Sequence, residues 1–140
     1  MNKTFVLSVV AVFIASMITG FVVHGLILGQ QYSSLGGLFR SEADQQNHFQ
    51  YMLIAHVVMA IGWTWIYRIG RENKPWLGQG VRFGLAVAVL AAIPGYLIYF
   101  AVQPMPSDLV AMQIVLETIS CVILGIVTAA MNRDPHPARA

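Results

Sequence analysis

The chain is expected to fold as an all-α integral membrane protein, a four-helix antiparallel bundle with both termini cytoplasmic. Three observations lead there. The 140 residues are 57% hydrophobic and only 10% charged, with a mean hydropathy of +0.67, whereas soluble domains carry about 25% charged residues. Four apolar runs approach the roughly 20 residues needed to cross a bilayer core of about 30 Å. The basic residues gather at one end of the alternation these runs set up. One domain is expected at this length, with helices at about 5–28, 48–68, 82–102 and 109–131 and a cytoplasmic tail at 132–140.

The first run, 5–28, follows Lys3 and begins like a signal peptide. A signal's apolar region is about 7–15 residues long and ends in an A-x-A site. This run continues through Phe21, Val22 and Val23 without one, so an uncleaved first helix is expected. Ser16 with Gly20, and Gly25 with Gly29, are small residues four apart, a spacing that lets helices approach closely in lipid.

Residues 30–50 are polar, broken at Gly36-Gly37 and charged at Arg40, Glu42 and Asp44. Ser41 has the character of a helix N-cap, with acids in the first turn where they suit the helix dipole. The second helix should start there, outside the hydrocarbon, and enter the membrane near Tyr51 with His56 inside it. The connection at 68–82 contains Pro75 and the glycines 70, 78 and 80, which loosen a chain. Trp63, Trp65, Tyr67 and Trp76 flank it as an interfacial aromatic belt.

The third helix contains Pro94-Gly95. Proline removes a backbone hydrogen bond, so a kink or local widening is expected, with the freed carbonyl covered by a neighbour. Pro106-Ser107-Asp108 starts the fourth helix, which carries Glu117 and Cys121. A lone cysteine excludes an intrachain disulfide and any C-x-x-C motif, and Cys121 is expected to be a small packing residue. The tail is expected to be unstructured, His136 included.

Orientation follows from the basic residues, which are retained on the cytoplasmic side. Lys3, Arg68, Arg71, Lys74, Arg82, Arg133 and Arg139 lie on one side and only Arg40 on the other. The protein is therefore expected in a bacterial inner membrane with both termini inside, with the lipid bilayer as its partner and no nucleic acid, since a net charge of +2 is too small to recruit it. A homo-oligomer or a larger membrane complex is compatible with such a size.

Orientation converts positions into depths. At 1.5 Å per residue, His24 lies roughly 6–8 Å below the outer face, His56 roughly 7–9 Å and Glu117 roughly 10–12 Å. Pro94 and Tyr96 fall in the same outer half, while the inner half reads as almost entirely apolar. A carboxyl in hydrocarbon costs roughly 2.5–3.5 kcal/mol on insertion scales, so Glu117 needs polar partners, water or a proton. Three readings follow. Glu117, His24, His56 and Tyr96 form a hydrogen-bond network that only satisfies polarity, or a ligand-binding or proton-relay site. Alternatively His24, His56 and Glu117 ligate a transition metal, or the two histidines a haem. His48 could extend a ligand set, although an exposed histidine is the simpler reading.

No motif surrounds Ser107, Ser120 or Cys121 as a nucleophile, and no Gly-rich phosphate loop follows a strand. The favoured function is therefore a small non-enzymatic binding or accessory subunit with an outward-facing polar site and no cofactor. The alternatives are a metal- or haem-binding redox protein and a proton-relay or transport subunit.

Three stretches carry a resemblance: GFVVHGLILG at 20–29, WTWIYR at 63–68 and GQGVRFGL at 78–85. With them the chain resembles a family of small four-helix bacterial inner-membrane proteins known as a domain of unknown function. The resemblance implies the fold and no activity.

Overall fold

A computed structural model describes residues 2–133; the expectations for residues 134–140, including His136 and Arg139, lie outside the described residues. Six helices follow one another: α1 (Lys3–Ile27), α2 (Gly29–Ser34), α3 (Glu42–Asn47), α4 (Phe49–Gly70), α5 (Trp76–Val102) and α6 (Ser107–Met131). There is no strand among the described residues. Helices α1, α4, α5 and α6 are long and apolar enough to cross a membrane, making this a multi-pass membrane protein. The short helices α2 and α3 cover one end of the bundle.

The most extensive packing joins α5 to α6, while α1 lies against both α4 and α6. Three glycines account for the closeness of α5 and α6. A Cβ at Gly80 would lie 2.8 Å from the Gly125 carbonyl oxygen, and one at Gly84 would fall on the Cys121 carbonyl. A Cβ at Gly125 would in turn strike the Gly80 carbonyl. Only hydrogen fits at these three points, so the two backbones touch. This seam explains why Gly80, expected in a loose connection, sits in a helix that begins at Trp76.

The connection is correspondingly short. The Gln79 amide clasps it, accepting from the Glu72 N–H at 2.6 Å and donating to the carbonyls of Glu72 at 2.7 Å and Lys74 at 2.8 Å. Glu72 also pairs with Lys74. The aromatic belt is only half as expected. Trp63 and Tyr67 are buried and meet Phe83 edge-on, at centroid distances of 5.4 and 5.3 Å, while Trp65 faces outward. Trp63 joins Val12, Ala60, Ala88, Cys121 and Leu124 in an apolar core at mid-bundle.

Below that core the expectation of an apolar inner half fails. Ser8, Thr64 and Thr128 are fully buried and Asn132 nearly so. Asn132 donates to the Ser8 hydroxyl and to the Thr128 carbonyl, both at 2.8 Å, and Arg71 donates to the Asn132 carbonyl at 2.6 Å. Small neutral side chains such as Ser8, Thr64 and Thr128 barely lower hydropathy and belong to the apolar runs, while Asn132, expected in an unstructured tail, instead closes this cluster. Their bonds fix the start of α1, the end of α4 and the end of α6 at one end of the bundle.

Both π-helical turns are informative. One, Ala88–Ala92, precedes the half-buried Pro94 and supplies the local widening expected of α5. The other, Phe21–Ile27 in α1, contains His24 and has no proline to announce it. At the covered end Ser41 caps α3 as expected, accepting from the Asp44 N–H at 3.3 Å. The helix does not run on into the span: His48 interrupts it, and α4 starts afresh at Phe49.

The glycine seam gives the first prediction. Gly84→Leu should lower stability in detergent by about 2–3 kcal/mol, because overpacking at a backbone contact cannot be relieved by a rotamer change. Gly78→Leu, with open space around its Cβ, should stay within about 0.5 kcal/mol. Equal unfolding midpoints for the two variants would contradict the seam.

Candidate functional site

A π turn widens the helix locally and recurs at functional sites. Here it closes with the Leu28 N–H on the Val23 carbonyl at 2.9 Å, and it places His24 between α2 and α6. On one side His24 Nδ1 lies 2.8 Å from the Tyr32 hydroxyl. On the other, Nε2 lies 3.6 Å from Glu117 Oε2. Tyr32 also receives the Gln113 amide N–H at 3.0 Å.

Donor counting gives the Gln113–Tyr32 contact a direction, and the His24 tautomer sets that of the Tyr32–His24 contact. An amide NH2 can only donate, so the Tyr32 oxygen accepts from Gln113; when His24 is protonated on Nε2, the Tyr32 proton goes to His24 Nδ1. In that tautomer the His24 proton is on Nε2, the atom facing the carboxylate. Protons are assigned here by valence, with the Gln113 amide oriented as described. The chain runs Gln113 to Tyr32 to His24 to Glu117 and ends on the group that most needs a donor. Tyr32 lies outside the spans. Burial pushes its phenol pKa up, the Gln113 hydrogen bond opposes that and the Glu117 charge adds to it, so it serves as a neutral donor.

His56 is engaged elsewhere. Its Nδ1 lies 2.9 Å from Ser16 Oγ, and that hydroxyl donates to the Phe13 carbonyl at 2.8 Å. The hydroxyl proton being committed, His56 Nδ1–H is the donor and Nε2 keeps its lone pair, 3.8 Å from where a Gly20 Cβ would stand. The Ser16–Gly20 pair is thus a seat for this imidazole. Gly25–Gly29 is no such pair, since a Cβ at Gly29 would meet only the His24 carbonyl.

A vestibule of about 720 Å³ opens above the chain, lined by His24, Tyr32, Phe39, His48, Tyr96, Tyr99 and Gln113 among others. A second cavity of about 960 Å³ is bordered by both His24 and His56. Of the residues expected in the site, His24 and Glu117 therefore meet, Tyr96 shares the vestibule with His24, and His56 faces Ser16. The metal set of His24, His56 and Glu117 is not assembled: no three His, Cys, Asp or Glu side chains converge among the described residues. The haem reading fares similarly, because Nε2 of His24 is turned to Glu117 and Nε2 of His56 rests on Gly20.

Tyr32 was missed by the sequence reading, which took residues 30–50 as a polar connection. Its signal was spacing: eight residues after His24, about two helical turns, it returns to the same face.

The model of a family described as a protein of unknown function (DUF1761) matches residues 7–129, a range that contains every residue of this site. No curated protein and no solved structure matches the chain.

Tyr32→Phe should remove the link between Gln113 and His24 and lower stability by about 1–3 kcal/mol, the usual range when buried groups lose their partner. Tyr99→Phe, on the exposed wall of the vestibule, should change little. Chemical unfolding of the two variants in the same detergent measures the difference. Indistinguishable midpoints would mean that the Tyr32 hydroxyl holds nothing in place.

Proposed function

Since the chain belongs to the DUF1761 family, whose description carries no activity, we propose its role from the site alone: a bacterial inner-membrane protein, termini inside, that binds a small molecule in an outward-opening vestibule. The reading is of a non-enzymatic binding or accessory subunit. The observation that carries it is the bonded trio of Gln113, Tyr32 and His24 lining a cavity of about 720 Å³, with Glu117 3.6 Å from His24 Nε2. A network that merely satisfied a stray carboxyl would close on itself. This one borders open space.

Orientation supports the same reading. Among the described residues Lys3, Arg68, Arg71, Lys74, Arg82 and Arg133 lie at the end opposite the vestibule, and basic residues stay in the cytoplasm. A proton-relay role is the second reading, favoured by the Gln113–Tyr32–His24 hydrogen bonds leading to a carboxylate 3.6 Å from His24 Nε2. The core of Val12, Ala60, Trp63, Ala88, Cys121 and Leu124 separates that chain from the polar cluster around Asn132, which favours binding from one side over passage through.

Single cysteines at Ser33, Ser107 and Asn73, in a Cys121→Ala background, test the orientation. A membrane-impermeant maleimide should label positions 33 and 107 in intact cells and position 73 only after permeabilisation. The reverse pattern would put the vestibule in the cytoplasm and end the proposal.

A further inference from the structure

We infer that the second cavity binds a soft monovalent cation, Cu(I), between the thioethers of Met17 and Met52 and Nε2 of His56. The site stands whether or not the vestibule is occupied. All three side chains border the same space of about 960 Å³, which α1, α3 and α4 enclose. Met52 and His56 are four residues apart and share one face of α4. Met17 lies about one turn before Gly20, the residue beside the imidazole. That imidazole is already set as a ligand. Ser16 Oγ gives its own proton to the Phe13 carbonyl and takes the Nδ1–H at 2.9 Å. Histidines that ligate metals have their other nitrogen held in this way, which fixes the tautomer and orients the ring. Nε2 keeps its lone pair, with no hydrogen-bond partner among the described residues, beside a glycine that puts no Cβ there.

The ligand chemistry selects the ion. Thioethers are soft, and with a neutral imidazole they suit Cu(I) over harder divalent ions. The set also carries no charge. No three His, Cys, Asp or Glu side chains converge among the described residues, so a divalent ion would find no anionic cage to offset its lost hydration. The described residues lining this cavity include one carboxylate, Glu42, and no Lys or Arg. A cleft with one sign of charge concentrates the opposite ion. Phe21 and Phe49 border the same space, and aromatic faces favour a cation that has left water. Methionine turns about three side-chain bonds, which lets both thioethers close on an ion at the imidazole.

The test uses the purified full-length chain without an affinity tag, with Cys121→Ala so that no thiol competes. Under ascorbate and without oxygen, it is titrated against the coloured complex of Cu(I) with bathocuproine disulfonate. The chain should withdraw one Cu(I), and excess Zn(II) should not displace it. Met17→Leu and Met52→Leu keep the side-chain volume, and each should weaken Cu(I) binding at least about tenfold. Met59→Leu, one turn beyond His56 but packed on the mid-bundle core outside this cavity, should leave binding unchanged. His56→Gln should abolish it, and if that variant does not fold the two leucine variants decide. Copper X-ray absorption should show sulfur and nitrogen together around the ion. Failure to withdraw Cu(I) would overturn the site. So would binding undiminished by both Met17→Leu and Met52→Leu, or weakened as much by Met59→Leu.

Discussion

A carboxyl on a membrane-spanning helix has to be met by something, and in this bundle the meeting of Glu117 with His24 shapes everything around it. A straight α-helix would continue α1 past this level without a break. The π turn at Phe21–Ile27 inserts extra backbone at the one place where α1 must present an imidazole to α6. Tyr32 then fixes that imidazole's other nitrogen, and Gln113 fixes Tyr32. Helix α2 is held against the bundle by this bond as well as by Leu28, which is fully buried at its start. The vestibule exists because α2 and α3 arch over a floor that cannot be sealed with hydrocarbon.

The other half of the molecule obeys a different constraint, close approach. Gly80, Gly84 and Gly125 bring α5 and α6 into backbone contact. In lipid no hydrophobic driving force favours helix association, so packing and interhelical hydrogen bonds must supply it. The seam supplies the first and the Ser8–Asn132–Arg71 cluster the second. The apolar core of Val12, Ala60, Trp63, Ala88, Cys121 and Leu124 lies between the Asn132 cluster and the polar residues at His56 and His24.

Much of this was legible in the sequence. Four spans, the Ser41 cap, the widening near Pro94 and the nearness of Glu117 to His24 all follow from hydropathy, capping chemistry and the cost of a charge in hydrocarbon. What escaped shares a physical reason. Gly80 and Gly84 carry no side chain to declare whether they loosen a loop or admit a neighbour. Ser8, Thr64 and Asn132 are too small or too near a helix end to register in a hydropathy average. Depth along the membrane placed His56 beside His24 and Glu117, but depth says nothing of azimuth, and Ser16 on the facing helix claimed the ring first. The π turn at His24 has no local sequence signal; it answers a tertiary demand from Glu117.

The direction of the hydrogen-bond chain is the centre of this account, and the histidine protons report it directly. Solid-state 15N spectroscopy of the histidine-labelled protein in lipid, with His24→Gln and His56→Gln used for assignment, distinguishes the two neutral tautomers. The account predicts a neutral His24 with its proton on Nε2, facing Glu117, and a neutral His56 with its proton on Nδ1, given to Ser16. A His24 proton found on Nδ1 would mean that the chain runs the other way, and the arrangement described for Glu117, Tyr32 and Gln113 would be wrong.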